Sequence, residues 1–295
     1  MSEVRFADPN DGWVFGPELW STHDGGAHWS QSTLKGVWTL ETADGRVHAV
    51  AFGAGSNFVI ESSATNRDAW AQTGSLQIGA GPVPSADIVL ERITGWIVEN
   101  DRTVVDGARL VAGHWIAWNP PCATTNGPAA IGASTTSSLV AVCEEGIWGP
   151  SGYPGPPATR AYFSNNGGAT WYRGGTLPGV VGDSGNVVAS PAPGAAVTNL
   201  VTATHAELLE TLNNGVSWRV AASISLGMFM DFSYVGFTSP SQGVAIATGE
   251  QPSVMLMTFD GGRSWIAGRV LIRAALHPGS GVPGATTSRW QPPGL

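Results

Sequence analysis

"STHDGGAHW", Ser21–Trp29, is a polar turn closed by a tryptophan, and it recurs. "SNNGGATW" ends at Trp171, "TLNNGVSW" at Trp218 and "TFDGGRSW" at Trp265. Aligned on the tryptophan, all four share Ser or Thr seven residues before, Asp or Asn five before and Gly three before. The residues are Thr22, Asp24, Gly26 and Trp29; Ser164, Asn166, Gly168 and Trp171; Thr211, Asn213, Gly215 and Trp218; Thr258, Asp260, Gly262 and Trp265. Each residue type has a physical role. The Asp or Asn side chain accepts from backbone N–H groups two or so residues on and closes an Asx-type turn. The Gly permits positive φ. The hydroxyl hydrogen-bonds across the same loop. The Trp starts the next strand, buries a large ring and offers its indole N–H to a carbonyl. A fully buried ring at Trp218 would cost ~3–5 kcal/mol on replacement by Ala.

These four stretches resemble the Asp-box, or BNR repeat, Ser/Thr-x-Asp-x-Gly-x-x-Trp. The family forms β-propellers whose four-stranded blades carry the box on the turn between third and fourth strands. It includes sialidases, some endoglucanases, sorting receptors and the photosystem II assembly-factor propellers. The lead-in "VRFADPNDGWVFG", Val4–Gly16, most resembles the assembly-factor group. The resemblance implies that ligands meet the face away from the boxes, at loops joining second to third strands and one blade to the next.

Two degenerate units fill the gap between the first and second intact boxes. "ESSATNRDAW" keeps Ser63 and Trp70 but has Thr65 and Arg67 in place of Asp and Gly; "ARLVAGHWIAW" ends at Trp118 with the box lost. Tryptophans 29, 70, 118, 171, 218 and 265 are then spaced 41, 48, 53, 47 and 47 residues apart. Repeats of this length bury their faces only against neighbours, so the array is expected to close as one ring. The expected fold is all-β: a single propeller of four-stranded antiparallel blades over residues 1–275, six by this count, with seven as the alternative. Residues 276–295 form a Pro/Gly-rich tail that is expected to be irregular. "HAELLETL", His205–Leu212, has helical propensity, but it lies where a third strand belongs, and the repeat register takes precedence.

Composition agrees. Gly 40 and Pro 20 fit many turns, and 12% charged residues exclude a charge-rich helical chain. The net charge of −8, with Lys35 the only lysine, argues against nucleic-acid binding. No apolar run reaches ~18 residues, so no membrane span is expected. The start, "MSEVRFADPN", reads as no signal peptide, and a leader or anchor removed from a longer protein is one expectation. The six histidines are scattered, and neither a metal site nor a cofactor is expected. Cys122 and Cys143 are either two buried thiols or one disulfide. The repeats bring them close, which favours the disulfide and an oxidising compartment, extracellular or in the cell envelope.

Candidate ligand residues fall on two loops. "CEEGIWGPSGYPGPPATR", Cys143–Arg160, is an unusually long second-to-third-strand loop with Glu144, Glu145, Trp148, Tyr153 and Arg160. Aromatics beside carboxylates suit carbohydrate or peptide contact. The competing reading is a proline-stiffened surface loop. "VENDRTV" places Glu99, Asp101 and Arg102 at a similar turn, where a solvated hairpin tip is the plainer reading. "GDSGN", Gly182–Asn186, looks like a serine-hydrolase fragment, but no helix follows it, and it reads as a turn.

Two functions compete. The first is a non-catalytic, monomeric module that binds a protein or carbohydrate. The second is a glycoside hydrolase, sialidase-like or using a carboxylate pair. The Phe/Tyr-Arg-Ile-Pro motif of sialidases is absent, Arg5 lying in "EVRFAD". Tyr162 and Tyr172 flank a box and read as structural. A carboxylate pair needs two acids at ~5–10 Å, which Glu99 or Asp101 with Glu144 or Glu145 would have to supply.

Overall fold

The computed structural model describes residues 3–15, 18–53, 57–77, 85–101, 103–124, 129–145, 158–178, 187–202, 204–225, 231–248, 254–268, 270–274 and 286–290. Six four-stranded sheets follow one another along the chain, each an antiparallel meander of consecutive strands. The first blade is Glu3–Phe6, Gly12–Phe15, Glu18–Thr22 and Ser30–Lys35; the last is Asp231–Phe237, Gly243–Thr248, Val254–Thr258 and Ile266–Gly268. His205–Thr211 is a strand, as the repeat register required. The tail expected to be irregular carries a strand, Thr286–Trp290, paired with Val270–Ala274 in a separate two-stranded sheet.

The core is divided among the blade junctions. Trp13, Phe15 and Leu19 of the first blade pack with Val37, Leu40 and Val47 of the second. Phe58 and Ile60 of the second pack with Ile88, Ile97 and Trp115 of the third. Three further clusters join the third blade to the fourth, the fourth to the fifth and the fifth to the sixth. Inner strands are therefore apolar on both faces. In Arg46–Phe52, Val47, Ala49 and Ala51 serve one junction and Val50 serves the other. The sixth and first blades meet through a different contact, the Arg5 guanidinium lying over the Tyr234 ring at 5.4 Å.

The four box turns share one hydrogen-bond pattern. The Gly26 N–H donates to Thr22 Oγ1 at 2.8 Å, Thr22 donates to Asp24 Oδ1 at 2.9 Å, and Asp24 Oδ1 accepts from the His28 N–H at 2.9 Å. The same three bonds recur about Ser164, Thr211 and Thr258. The Asp or Asn thus reaches four residues on, not two, and the hydroxyl takes the nearer N–H groups. Two successive residues hold positive φ in each box: Gly25 and Gly26, Gly167 and Gly168, Asn214 and Gly215, Gly261 and Gly262. That double turn explains the Gly or Asn found four residues before every box tryptophan.

Two expectations are corrected. The box tryptophans precede the fourth strand but are only half-buried; among the described residues the fully buried indoles are Trp13 and Trp96 on second strands. Trp265 donates to its own turn at Gly262 O, 2.9 Å, as expected. The Trp171 and Trp218 nitrogens find no acceptor among the described residues. In the third unit, Trp118 follows the fourth strand, His114–Ala117, instead of preceding it. With the box lost, that blade turns tightly through Ala112 and Gly113, both at positive φ, and Val111 pairs directly with His114. The Trp118 and Trp96 indoles instead donate to the Gly168 and Gly167 carbonyls of the fourth blade's box.

Cys122, in the short 3-10 turn Pro121–Thr124, is disulfide-bonded to Cys143 on the second strand of the fourth blade, with Cα atoms 5.4 Å apart. Titration of the denatured, unreduced protein should find no free thiol, and reduction should lower stability by about 3 kcal/mol. Trp96→Ala should cost about 3–5 kcal/mol and Trp218→Ala about 2 kcal/mol in denaturant unfolding, because only the first ring is wholly removed from water.

Candidate binding face

The meander fixes which loops share a face. Box turns and first-to-second-strand turns lie at one end of the blades. Second-to-third-strand turns and blade-to-blade connections lie at the other. Innermost first strands of all six blades surround a central cavity of about 360 Å³. Its charged lining includes Arg5, Glu41, Asp87 and Glu91, with Tyr234 beside them. Arg5 Nε donates to Glu41 Oε1 at 2.7 Å. Burial raises the Glu91 carboxyl, against the opposing pull of Arg92. The sequence reading missed these residues. Their signal was present as a polar residue at alternate positions of otherwise apolar first strands.

On the face opposite the boxes, the fourth blade gathers a charged cluster. Glu145 ends the second strand, Leu139–Glu145, and Arg160 and Tyr162 stand two apart on the third, Ala158–Ser164. Alternation puts them on one side of the sheet, the side of Ala141 and Cys143, which faces the third blade. Arg160 Nε donates to Glu145 Oε2 at 3.0 Å, Arg173 Nη2 to the same oxygen at 2.7 Å, and the Tyr162 hydroxyl to Oε1 at 2.5 Å. Burial alone would raise the Glu145 carboxyl, but the Tyr162, Arg160 and Arg173 bonds outweigh it and hold it below its ordinary value. Burial, then the bond to Glu145, raises the Tyr162 phenol. Tyr162, read from sequence as structural, is thus part of this cluster, and Arg173 joins it from the fourth strand.

The remaining candidates separate. Glu99 is fully buried. It shares a face with Ile97, which packs toward the second blade, whereas Trp96 and Val98 pack toward the fourth. Glu99 and Glu145 are therefore turned into different junctions, the first toward the second blade and the second toward the third. Asp101 pairs with Thr103 at the hairpin tip. Glu144 follows Cys143 on the opposite side of its strand from Glu145. Arg102, Trp148, Tyr153 and the stretch 182–186 lie outside the described residues.

A serine–histidine contact exists elsewhere. Ser62 Oγ lies 2.6 Å from His48 Nδ1, and both residues are buried between the second and third blades. Burial, with the Arg46 charge, pushes His48 down to about 4. A dyad closed to solvent and packed on Trp115 holds a junction together and offers no access to substrate.

No family profile and no curated protein sequence matches the chain. Solved structures do. A structure described as YCF48 bound to D1 peptide has a TM-score of 0.54 at 16% identity, covering 90% of this chain and 80% of that one. A polysaccharide lyase of family PL25, ulvan lyase, has a TM-score of 0.54 at 11% identity, covering 89% and 81%. KlAtg21, in complex with the coiled coil of AgAtg16, has a TM-score of 0.56 at 12% identity, covering 92% and 87%. At these identities the likeness speaks for the fold alone, and the chain is a β-propeller.

The Glu145 cluster has a titration signature. Its folded carboxyl lies below the ordinary 4.5. Its stabilising contribution is therefore full above that value and lost as pH falls through the lower folded pKa. Glu145→Gln should lower stability at neutral pH by about 1 kcal/mol. The variant should also flatten this part of the acid limb in urea unfolding followed against pH.

Proposed function

We propose that the chain is an Asp-box propeller that serves as a non-catalytic, extracellular or cell-envelope binding or assembly module. Its protein or carbohydrate ligand is met on the face away from the boxes. The observation that carries this reading is the state of Glu145. A glycosidase acid keeps its proton near neutral pH by a raised pKa. Glu145 is held in the opposite state by two guanidinium groups and a phenol. The turning of Glu99 into another junction works against a carboxylate pair with Glu145. Two of the structural neighbours are complexes, one with a peptide and one with a coiled coil. The disulfide is compatible with an oxidising location.

One observation favours the second reading, a sialidase-like hydrolase. Tyr162 donates to Glu145 beside two arginines, which resembles the Tyr activated by a Glu, with three arginines on the substrate carboxylate, that sialidases of this architecture use. Here both arginines are engaged by the glutamate itself, and the phenol is raised and so less readily ionised.

A panel of fluorogenic glycosides that includes a sialoside separates the two. No turnover is expected from the wild-type chain. Turnover that disappears in Tyr162→Phe and in Glu145→Gln would replace the binding reading with a hydrolase centred on the fourth blade.

A further inference from the structure

The degenerate box of the second blade carries a contact that the intact boxes lack. Thr65 and Arg67 stand where the Asp and Gly belong, and neither Asn66 nor Arg67 holds positive φ. The turn is closed differently. The Arg67 N–H donates to Ala64 O at 3.3 Å and the Thr65 N–H to Gly45 O at 3.0 Å. On this path Asp68 reaches the first blade. Its Oδ2 accepts from Ser21 Oγ at 2.5 Å and lies 3.5 Å from His23 Nε2. Ser21 is buried, and it and His23 flank the box hydroxyl of Thr22.

His23 thus stands between carboxylates of two blades. Its other nitrogen, Nδ1, lies 2.7 Å from Asp11 Oδ1, on the turn between the first two strands of its own blade. The buried Trp13 ring meets the imidazole edge to face, centroids 6.4 Å apart. The three side chains are sheltered: 36% exposed for His23, 12% for Asp11 and 26% for Asp68. A ring with a proton on each nitrogen serves both carboxylates. A neutral ring has one N–H and turns a lone pair toward the other. Burial by itself would lower the His23 imidazole, but the bond to Asp11 and the charge of Asp68 outweigh it and hold it above its ordinary 6.5.

The other charged groups of these turns are engaged elsewhere or exposed. Asp8 accepts from the Asn10 and Asp11 N–H groups. Asp24, in the same box, accepts from the His28 N–H and lies 2.6 Å from His28 Nδ1. Asp44, Arg46 and Arg67, on the adjoining turns of the second blade, are all exposed to solvent, where salt screens them.

We propose that Asp11, His23 and Asp68 form a proton-operated clasp between the first and second blades, closed while the imidazole is charged and loosened when it gives up its proton. The degenerate box is the acceptor half of this clasp. The clasp lies on the box face and does not depend on the binding-module reading. Its sign follows from linkage. A folded-state value above the unfolded one adds stability that is full below about 6.5 and lost as pH rises through the folded value.

The test uses the full chain, urea unfolding at about pH 6 and about pH 8.5, and NMR titration of the histidine Cε1–H signals assigned by sequential connectivity. At the lower pH the wild-type urea midpoint should exceed those of His23→Gln and Asp68→Asn. At the higher pH about half of each gap or more should be gone. His23 should titrate above 6.5 in the wild type and lower in Asp68→Asn. His28→Gln, which removes the exposed histidine of the same box, should keep the wild-type pattern. A wild-type His23 that titrates at or below 6.5, or midpoint gaps equal at the two pH values, would overturn the clasp. The titration is read on the wild type, so it decides the matter where a variant fails to fold.

Discussion

A four-stranded blade of this chain cannot cover its own faces, and everything else follows from that. Each sheet has two apolar sides, and each side is removed from water only by the neighbouring blade. The buried clusters accordingly belong to junctions and not to blades, as Phe58 packing with Ile97 and Phe163 packing with Leu209 show. A ring satisfies the requirement for every blade at once. The described residues meet it with apolar clusters at five successive junctions and with the Arg5–Tyr234 contact between the last blade and the first. The disulfide adds a covalent tie to the third of these junctions.

The box turn serves the same end at the periphery. It reverses the chain between third and fourth strands through two left-handed residues, and it satisfies the freed N–H groups with a hydroxyl and an Asp or Asn oxygen. Its first left-handed residue donates its N–H to the adjacent first-to-second-strand turn of the same blade, as Gly25 does to Asn10 O and Gly261 to Ser241 O, so each blade supplies what the turn needs and the turn can repeat around the ring. Where it is lost, other devices replace it. The second blade keeps Ser63 and Trp70 but not the Asp or Gly, and Ser63 donates to Arg67 O and accepts from the Ala69 N–H. The third uses a two-residue hairpin turn. The tryptophan at the end of the polar turn is thus less a core residue than a cover, half-buried over its turn or junction.

With one end of each blade given to these closed turns, the opposite end is free to vary. There the fourth blade sets Glu145 between Arg160, Arg173 and Tyr162, and the second blade sets Trp38 and Phe52 outward. The two places differ in kind. In the first, a single carboxylate is shared by two guanidinium groups and a phenol. The second is an exposed edge-to-face pair of rings seated on the buried Phe58.

The sequence by itself determined the architecture. A box of four fixed residue types recurring at blade length has one physical meaning, and the strand register followed from it even through His205–Leu212, where local propensity pointed to helix. The same repeat brought Cys122 near Cys143. The partners of individual side chains were not legible in this way. Alternation along a strand tells that Ile97 and Glu99 share a face, but not which junction that face serves; only the packing of Ile97 against the second blade turned Glu99 away from Glu145. Tyr162 could not be read as a partner of Glu145, because their contact depends on the pairing of two strands separated by a long loop. Nor could the bulge that leaves Trp38 unmatched on its strand be foreseen, since one extra residue in a strand leaves no mark in composition. The tertiary structure decided these points because side-chain contact is set by sheet register and blade order, whereas the repeat records only the spacing of the turns.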